Sequence, residues 1–172
     1  QTDLSAGAEI TSDERRRGLS WSDGDASASA DASASFGPLY ASARAALTRD
    51  SARHAGADAV FDLEAGTDFD IGLVKLRPYI ATHLFTGARG KMDYVELGTT
   101  GSFTIGPLQL QGDIAYAPDQ SAIGGDNLYL AAGASAGVPT TPVTVSARIG
   151  HSTGSVDDPL RAARLRPGGD YT

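Results

Sequence analysis

Hydrophobic and polar residues alternate along most of this chain. The pattern is clearest between Asp25 and Phe36, where alanines occupy the even positions and serine or aspartate occupies the odd ones. A period of two predicts a β-strand, because successive side chains of a strand point to opposite faces. Alanine and serine are weak strand formers, so this segment by itself would also suit a low-complexity linker. Its repetition in later segments favours the strand.

The same alternation predicts about nine strands in the chain. Most of them have about the 9 to 12 residues that a tilted strand needs to cross a bilayer. The predicted strands are Ser5–Arg17, Asp25–Phe36, Leu39–Thr48, Ala59–Phe69, Val74–Leu84, Tyr94–Phe103, Leu108–Tyr116, Leu128–Ser135 and Val143–Ile149.

Charged residues are sorted between the two faces of these strands. From the second strand onward, those within the strand bodies all fall on the polar parity. A membrane barrel requires this sorting, because Arg or Lys facing lipid at the bilayer midplane costs about 2–4 kcal/mol. A soluble β-sandwich would alternate too, but it would need larger side chains on its packed faces than these alanines supply. The predicted lumen-lining residues are Arg44, Asp62, Glu64, Asp68, Lys75, Arg77, His83, Glu96, Asp113 and Arg148, with Asp31 on the same parity.

The connections between the predicted strands alternate in length. Short ones are expected at 37–38, 70–72, 106–107 and 137–142, and longer polar ones at 18–24, 49–56, 86–90, 118–125 and 151–169. Outer-membrane barrels have tight periplasmic turns and longer outer loops. A chain that starts at the periplasmic end would place every short connection in the periplasm.

These patterns predict an all-β fold, an antiparallel up-and-down transmembrane β-barrel formed by a single domain over residues 1–172. Bacterial single-chain barrels have even strand numbers. About nine strands are visible, and Asp170-Tyr171-Thr172 has the pattern of the start of a tenth. We therefore expect a barrel of about ten to twelve strands whose C-terminal strands are missing from this sequence.

Composition narrows the class of protein further. The formal charge of −7 argues against a nucleic-acid partner, which needs a clustered basic surface. The chain contains no cysteine, which excludes disulfides, thiolate metal sites and thiol catalysis. The first residues, Gln1-Thr2-Asp3, have no initiator Met and suit a mature N-terminus after removal of a signal peptide, although the start of an expressed fragment would look the same.

Residues 12–25 resemble the N-terminal signature of the TorF-like porins, a proteobacterial outer-membrane family. The matching positions are Ser12, Asp13, Arg17, Gly18, Leu19, Ser20, Ser22 and Asp23. The resemblance implies an outer-membrane β-barrel, and segments 92–98, 127–133 and 169–172 are similar to that family's strand starts. Glu14 and Arg16 replace the family's aromatic residues on the outward parity. We expect the strand to have reached the membrane rim there, where such side chains contact water.

The predicted function is a narrow porin of the bacterial outer membrane that passes small solutes or ions through a charge-lined lumen. A non-conducting barrel filled by ion pairs, with a structural or partner-binding role in a membrane complex, is the alternative that the sequence leaves open. An outer-membrane enzyme is disfavoured. Catalytic groups would have to come from His54, His151, Ser152 and Asp157, and no known catalytic motif, cofactor motif or metal spacing is present.

Overall fold

The computed structural model describes residues 2–138, 143–154 and 169–171, the last of these by their backbone alone. A single 3₁₀ turn, Ala52–His54, interrupts the strands in this part of the chain, and no described helix is long or apolar enough to span a membrane. The strands are β1 Thr2–Thr11, β2 Arg15–Arg16, β3 Leu19–Ser20, β4 Ser27–Phe36, β5 Leu39–Ser51, β6 Ala57–Thr67, β7 Phe69–Ile71, β8 Val74–Thr86, β9 Tyr94–Ile105, β10 Leu108–Gln120, β11 Gly125–Gly137, β12 Thr144–Ser152 and β13 Gly169–Tyr171.

Eleven strands form one antiparallel sheet in the order β1-β4-β5-β6-β8-β9-β10-β11-β12-β13, with β7 paired to the start of β8. Each long strand therefore lies beside its neighbours in sequence, as an up-and-down arrangement requires. The predicted all-β, antiparallel fold is confirmed. Within the described residues, β1 and β13 form the two edges of the sheet and no pairing joins them.

The sheet has two chemically distinct faces. Large hydrophobic side chains on one face, called here the apolar face, are exposed on every long strand, and Leu4 and Ile10 of β1 are 78% and 86% exposed. The register holds them together, since Phe36 pairs with Leu39 and Ile114 with Leu130. The opposite, polar face carries the predicted charged residues. The other described sheet, β2–β3, is too small to cover the apolar face as a sandwich would.

The connections differ between the two ends of the sheet. At one end, two-residue turns at 37–38, 72–73 and 106–107 close hairpins, and their glycines adopt positive φ of 59°, 63° and 56°. At the other end, β5 and β10 extend further than predicted, beyond register shifts near Leu47 and Ala117. The connections there are consequently shorter than the sequence indicated, at 52–56 and 121–124.

The first connection departs most from the prediction. Strand β1 ends at Thr11 rather than near Arg17, and residues 12–24 form a small hairpin built on β2 and β3, called here the inner hairpin. Asp13 stabilises it by accepting hydrogen bonds from Ser20 and Ser22, and the Glu14 amide donates to Ser22 Oγ. The inner hairpin lies against the polar face of the large sheet.

A small core forms where the inner hairpin meets the sheet. Trp21 is 4% exposed and packs with Ala46 and Val60 of the polar face. Its ring centroid lies 4.4 Å from that of His54 and 5.8 Å from that of Phe85. The best-packed region of the described chain therefore lies over the polar face, at the end with the longer connections.

Candidate functional site on the polar face

Charged residues form a row across the polar face. Antiparallel register places Asp31 beside Arg44, Arg44 beside Asp62, and Asp62 beside His83, on four neighbouring strands. Residues directly opposite each other in an antiparallel pair have Cβ atoms only about 4.5–5.5 Å apart, so these side chains interact. The alternation along each strand is what brings residues distant in sequence into one row.

The inner hairpin contributes three further charged residues to this row. Each forms an ion pair with a different strand of the sheet, and the N–O distances are 2.7–2.8 Å. The three pairs are Glu14–Arg44 on β5, Arg16–Asp62 on β6 and Arg17–Glu96 on β9.

His83 connects two of these pairs. Its Nδ1 lies 2.7 Å from Asp62 Oδ1, and its Nε2 lies 3.7 Å from Glu96 Oε1. The imidazole also stacks on Tyr94, with ring centroids 4.4 Å apart. Because Arg16 also bonds Glu14 at 3.0 Å, acidic side chains alternate with arginine or histidine side chains along one continuous network. The network, called here the ion network, runs Arg44–Glu14–Arg16–Asp62–His83–Glu96–Arg17.

Glu14 lies at the centre of the hairpin's contribution. Burial of this side chain raises its pKa, but hydrogen bonds from Arg44 and Arg16 outweigh burial and hold the pKa below the usual value for glutamate. Asp13 behaves similarly, because a hydrogen bond from Ser20 lowers the pKa of its carboxyl. Both groups are therefore charged at neutral pH.

The half of the polar face away from the inner hairpin is more open. Arg77 bonds both oxygens of Asp68, and both side chains are about half exposed. The Tyr40 hydroxyl donates to Glu64 at 2.7 Å. These contacts leave a polar surface rather than a packed core.

The remaining predicted residues also lie on this face. Asp113 accepts a hydrogen bond from Thr100 and pairs with Arg148 at 2.8 Å, and Lys75 is exposed. Register therefore gathers the sequence-predicted residues on one face, while the ion network joins only some of them: Arg44, Asp62, His83 and Glu96.

Sequence reasoning missed the hairpin's part in this site. Glu14 and Arg16 were expected to reach water at a membrane rim, but Glu14 is 4% exposed and both side chains point to the polar face. That expectation was wrong because the strand ends at Thr11, so the parity of β1 no longer applies. The signal was present, since two charged residues on the outward parity contradict a continuing strand.

The residues considered for catalysis do not assemble. His54 is buried beside Trp21 and Phe85, Ser152 is buried and donates to Asn127, and the neighbouring His151 is exposed on the opposite face. Asp157 lies outside the described residues. Among the described side chains, no three carboxylates or histidines converge as a metal site would require.

The fold and the site define an all-β protein. Its antiparallel sheet has one exposed apolar face and one polar face, and the inner hairpin covers part of the polar face. The chain belongs to Gcw_chp, a bacterial protein family of unknown function, whose family model matches residues 1–159. No curated protein and no solved structure showed a significant match to the chain.

Proposed function

We propose that this chain is an integral β-barrel protein of the bacterial outer membrane with a charged interior and a narrow route for small solutes or ions. The exposed apolar face carries the proposal. Monomeric soluble proteins rarely expose contiguous apolar patches beyond about 300–600 Å². Here the exposure continues from Leu4 on β1 to Ile149 on β12, the two ends of the described long strands.

The distribution of charge supports the same environment. The charged residues within the predicted strand bodies lie on the polar face, where ion pairs such as Arg77–Asp68 satisfy them. Lipid contact demands this separation, because an unpaired charge facing hydrocarbon is costly. In the proposed barrel, the polar face lines the interior and the edges β1 and β13 are no longer free, since a bilayer does not tolerate open sheet edges.

The connections support an orientation. The three two-residue turns, at 37–38, 72–73 and 106–107, all lie at one end of the sheet, and the connections at the other end have four residues or more. In outer-membrane barrels the tight turns are periplasmic, so the inner hairpin would lie at the outer end. The resemblance of residues 12–25 to the TorF-like porins agrees with this proposal.

The inner hairpin favours a second candidate function. Trp21 and the ion network occupy the polar face at one end, so the interior there would be filled. A barrel filled in this way would have a structural or partner-binding role without conduction. The open half, with exposed Lys75 and the half-exposed Arg77–Asp68 pair, favours the narrow pore instead.

Two measurements on the full-length protein test these functions. Heat-modifiable migration on gels and extraction from membranes only by detergent are expected of the barrel, and a freely soluble monomer would contradict it. Single-channel recording in planar bilayers then separates the two candidates. Small, discrete conductance steps are expected of the narrow pore, whereas steady silence from correctly folded protein would favour the filled barrel.

A further inference from the structure

We propose that the inner hairpin is a displaceable gate over the interior, rather than a fixed part of its wall. This inference rests on the proposed function, because a gate requires a passage. It concerns one boundary, between residues 12–24 and the polar face of β5, β6, β8 and β9.

The hairpin has its own small sheet. Within the described residues, strands β2 and β3 pair only with each other, over two residues each, and no ladder joins them to the large sheet. A short two-stranded hairpin is only marginally stable in water without other packing. Its turn needs positive φ at Arg17 (48°) and Gly18 (79°). The hairpin is therefore a local unit that can leave the wall without breaking the ladder of the large sheet.

Side chains attach this unit to the wall. Its three ion pairs reach three different strands, and Arg17 also stacks on Tyr129 of β11 at 4.2 Å. Buried ion pairs contribute little net stability, because desolvation of the charges offsets their attraction. Burial of Trp21 favours the closed position. Burial of Trp21 and the ion pairs together favour the closed position of the hairpin. The stability of that position depends on these few contacts.

Small side chains in part of the wall leave space for the hairpin. Some polar-face positions near this end carry small side chains, and Ala46, Ala115 and Ala117 are at most 2% exposed. Further along the same face, the wall carries larger groups such as Tyr40 and Arg77. Displacement of the hairpin would widen this end of the interior and expose these alanines together with larger wall side chains such as His83, Tyr94 and Tyr129.

Thiol labelling tests the gate directly, since the native chain has no cysteine. Ala46→Cys places a single thiol under the hairpin, and Asp31→Cys places one at an exposed position of the same face. Each is labelled with a hydrophilic maleimide in detergent-folded protein, in the native background and with Arg16→Gln and Arg17→Gln combined. We expect labelling of Ala46→Cys to accelerate about tenfold or more in the pair-broken background. Labelling of Asp31→Cys should be unchanged.

Equal labelling rates of Ala46→Cys in the two backgrounds would overturn the gate. A charge exchange is the control for misfolding. Combining Arg17→Glu with Glu96→Arg restores an ion pair between the same two positions, with the charges reversed. This exchange should slow the labelling of Ala46→Cys relative to Arg17→Glu alone. If the exchange labels as fast as the single variant, the ion pair does not hold the hairpin and the proposal fails.

Conductance separates failure of the gate from failure of the pore. In planar bilayers, the pair-broken variant is expected to open more often or to a larger conductance than the native protein. If labelling is accelerated but the variants do not conduct, the hairpin is displaceable and the pore is contradicted. Conducting protein with identical labelling in both backgrounds would retain the pore and remove the gate.

Discussion

Glu14 carries much of the contact between the inner hairpin and the sheet. Its two carboxylate oxygens accept hydrogen bonds from Arg44 at 2.7 and 3.1 Å, and Arg16 bonds one of them at 3.0 Å. A single carboxylate therefore pairs with two guanidinium groups. Removal of its charge would leave each arginine with one ionic partner fewer. Such an incompletely paired charge costs more than the absence of all three charged residues would.

Glu14→Gln is expected to destabilise the folded protein by about 2 kcal/mol at neutral pH, because charge-assisted hydrogen bonds are lost. The lowered folded-state pKa of Glu14 fixes the sign of the pH dependence. Its stabilisation is fully present above the ordinary glutamate pKa and is lost as the pH falls through the lowered folded-state pKa. Denaturant unfolding in detergent from pH 7 down to pH 3 should therefore show the two proteins converging in acid. Asp25→Asn, at an exposed position nearby, should show no comparable gap.

Glycines allow tyrosine rings to lie flat on the polar face. An added Cβ at Gly98 would overlap the ring of Tyr79, and one at Gly150 would meet Tyr129 atoms at 2.7–3.1 Å. At Gly66 it would overlap the Pro78 carbonyl oxygen. The same device, an aromatic ring over a strand glycine, recurs across the sheet and compensates for the missing side chain.

Gly66→Ala is expected to cost about 1–3 kcal/mol, because a methyl group has no room against a backbone oxygen. Gly112→Ala is the matched control, since the nearest atom to its added Cβ lies 4.0 Å away. Thermal unfolding of both variants should show a lowered midpoint for the first alone. Equal midpoints would show that the β6–β8 contact relaxes freely.

At the scale of the strand, two neighbouring residues of β10 lie on opposite faces of the sheet. Substitutions at these positions therefore test whether each face contacts lipid or water. Leu110 lies on the apolar face and is 43% exposed, whereas Gln111 lies on the polar face. In a membrane, Leu110→Arg is expected to cost about 2–4 kcal/mol and to reduce the folded yield in lipid vesicles. Gln111→Arg, one residue along, should fold nearly as well as the native protein.

The same pair of variants separates membrane from water. An arginine on an exposed face of a soluble sheet is nearly neutral. If Leu110→Arg folded in vesicles as efficiently as Gln111→Arg, the apolar face would not contact hydrocarbon.

The strands could be predicted from the sequence because their signal is local. A period of two identifies the long strands, such as β5 and β10, and assigns charged residues within them, such as Arg44 and Asp113, to the polar face. It misassigns Glu14 and Arg16, which lie beyond the end of β1. The inner hairpin could not be predicted this way, because its position depends on contacts with residues such as Glu96, which lies 79 positions along the chain from Arg17. The strand ends were also underestimated, since β5 continues past a register shift to Ser51.

For the whole molecule, the polar face has an excess of acids. The charged residues that the sequence assigns to the interior are six acids, Asp31, Asp62, Glu64, Asp68, Glu96 and Asp113, and four bases, Arg44, Lys75, Arg77 and Arg148. Glu9 of β1 and Glu14, Arg16 and Arg17 of the inner hairpin bring the totals to eight acids and six bases. A low-dielectric wall focuses the field of such charges into the space that they line. The interior of the proposed barrel would therefore attract cations more than anions.

Reversal potentials measured in a salt gradient are expected to show a preference for potassium over chloride. Combining Glu9→Gln with Asp31→Asn removes two exposed acids from the polar face and should reduce this preference. Asp126→Asn, on the other parity near the start of β11, should leave it unchanged. Anion preference in the native protein would contradict the assignment of the polar face as the conducting surface.

The contact between Arg17 and Glu96 also constrains the order of folding. Strands β1 to β12 pair with sequence neighbours, so hairpins can form successively as the chain emerges, with little cost in loop closure. The inner hairpin lies near the start of the chain, but besides its partners on β5 and β6 it contacts Glu96 on β9 and Tyr129 on β11. It can take its place only after most of the sheet exists. We expect the amides of the inner hairpin to be among the last to acquire protection from hydrogen exchange during folding.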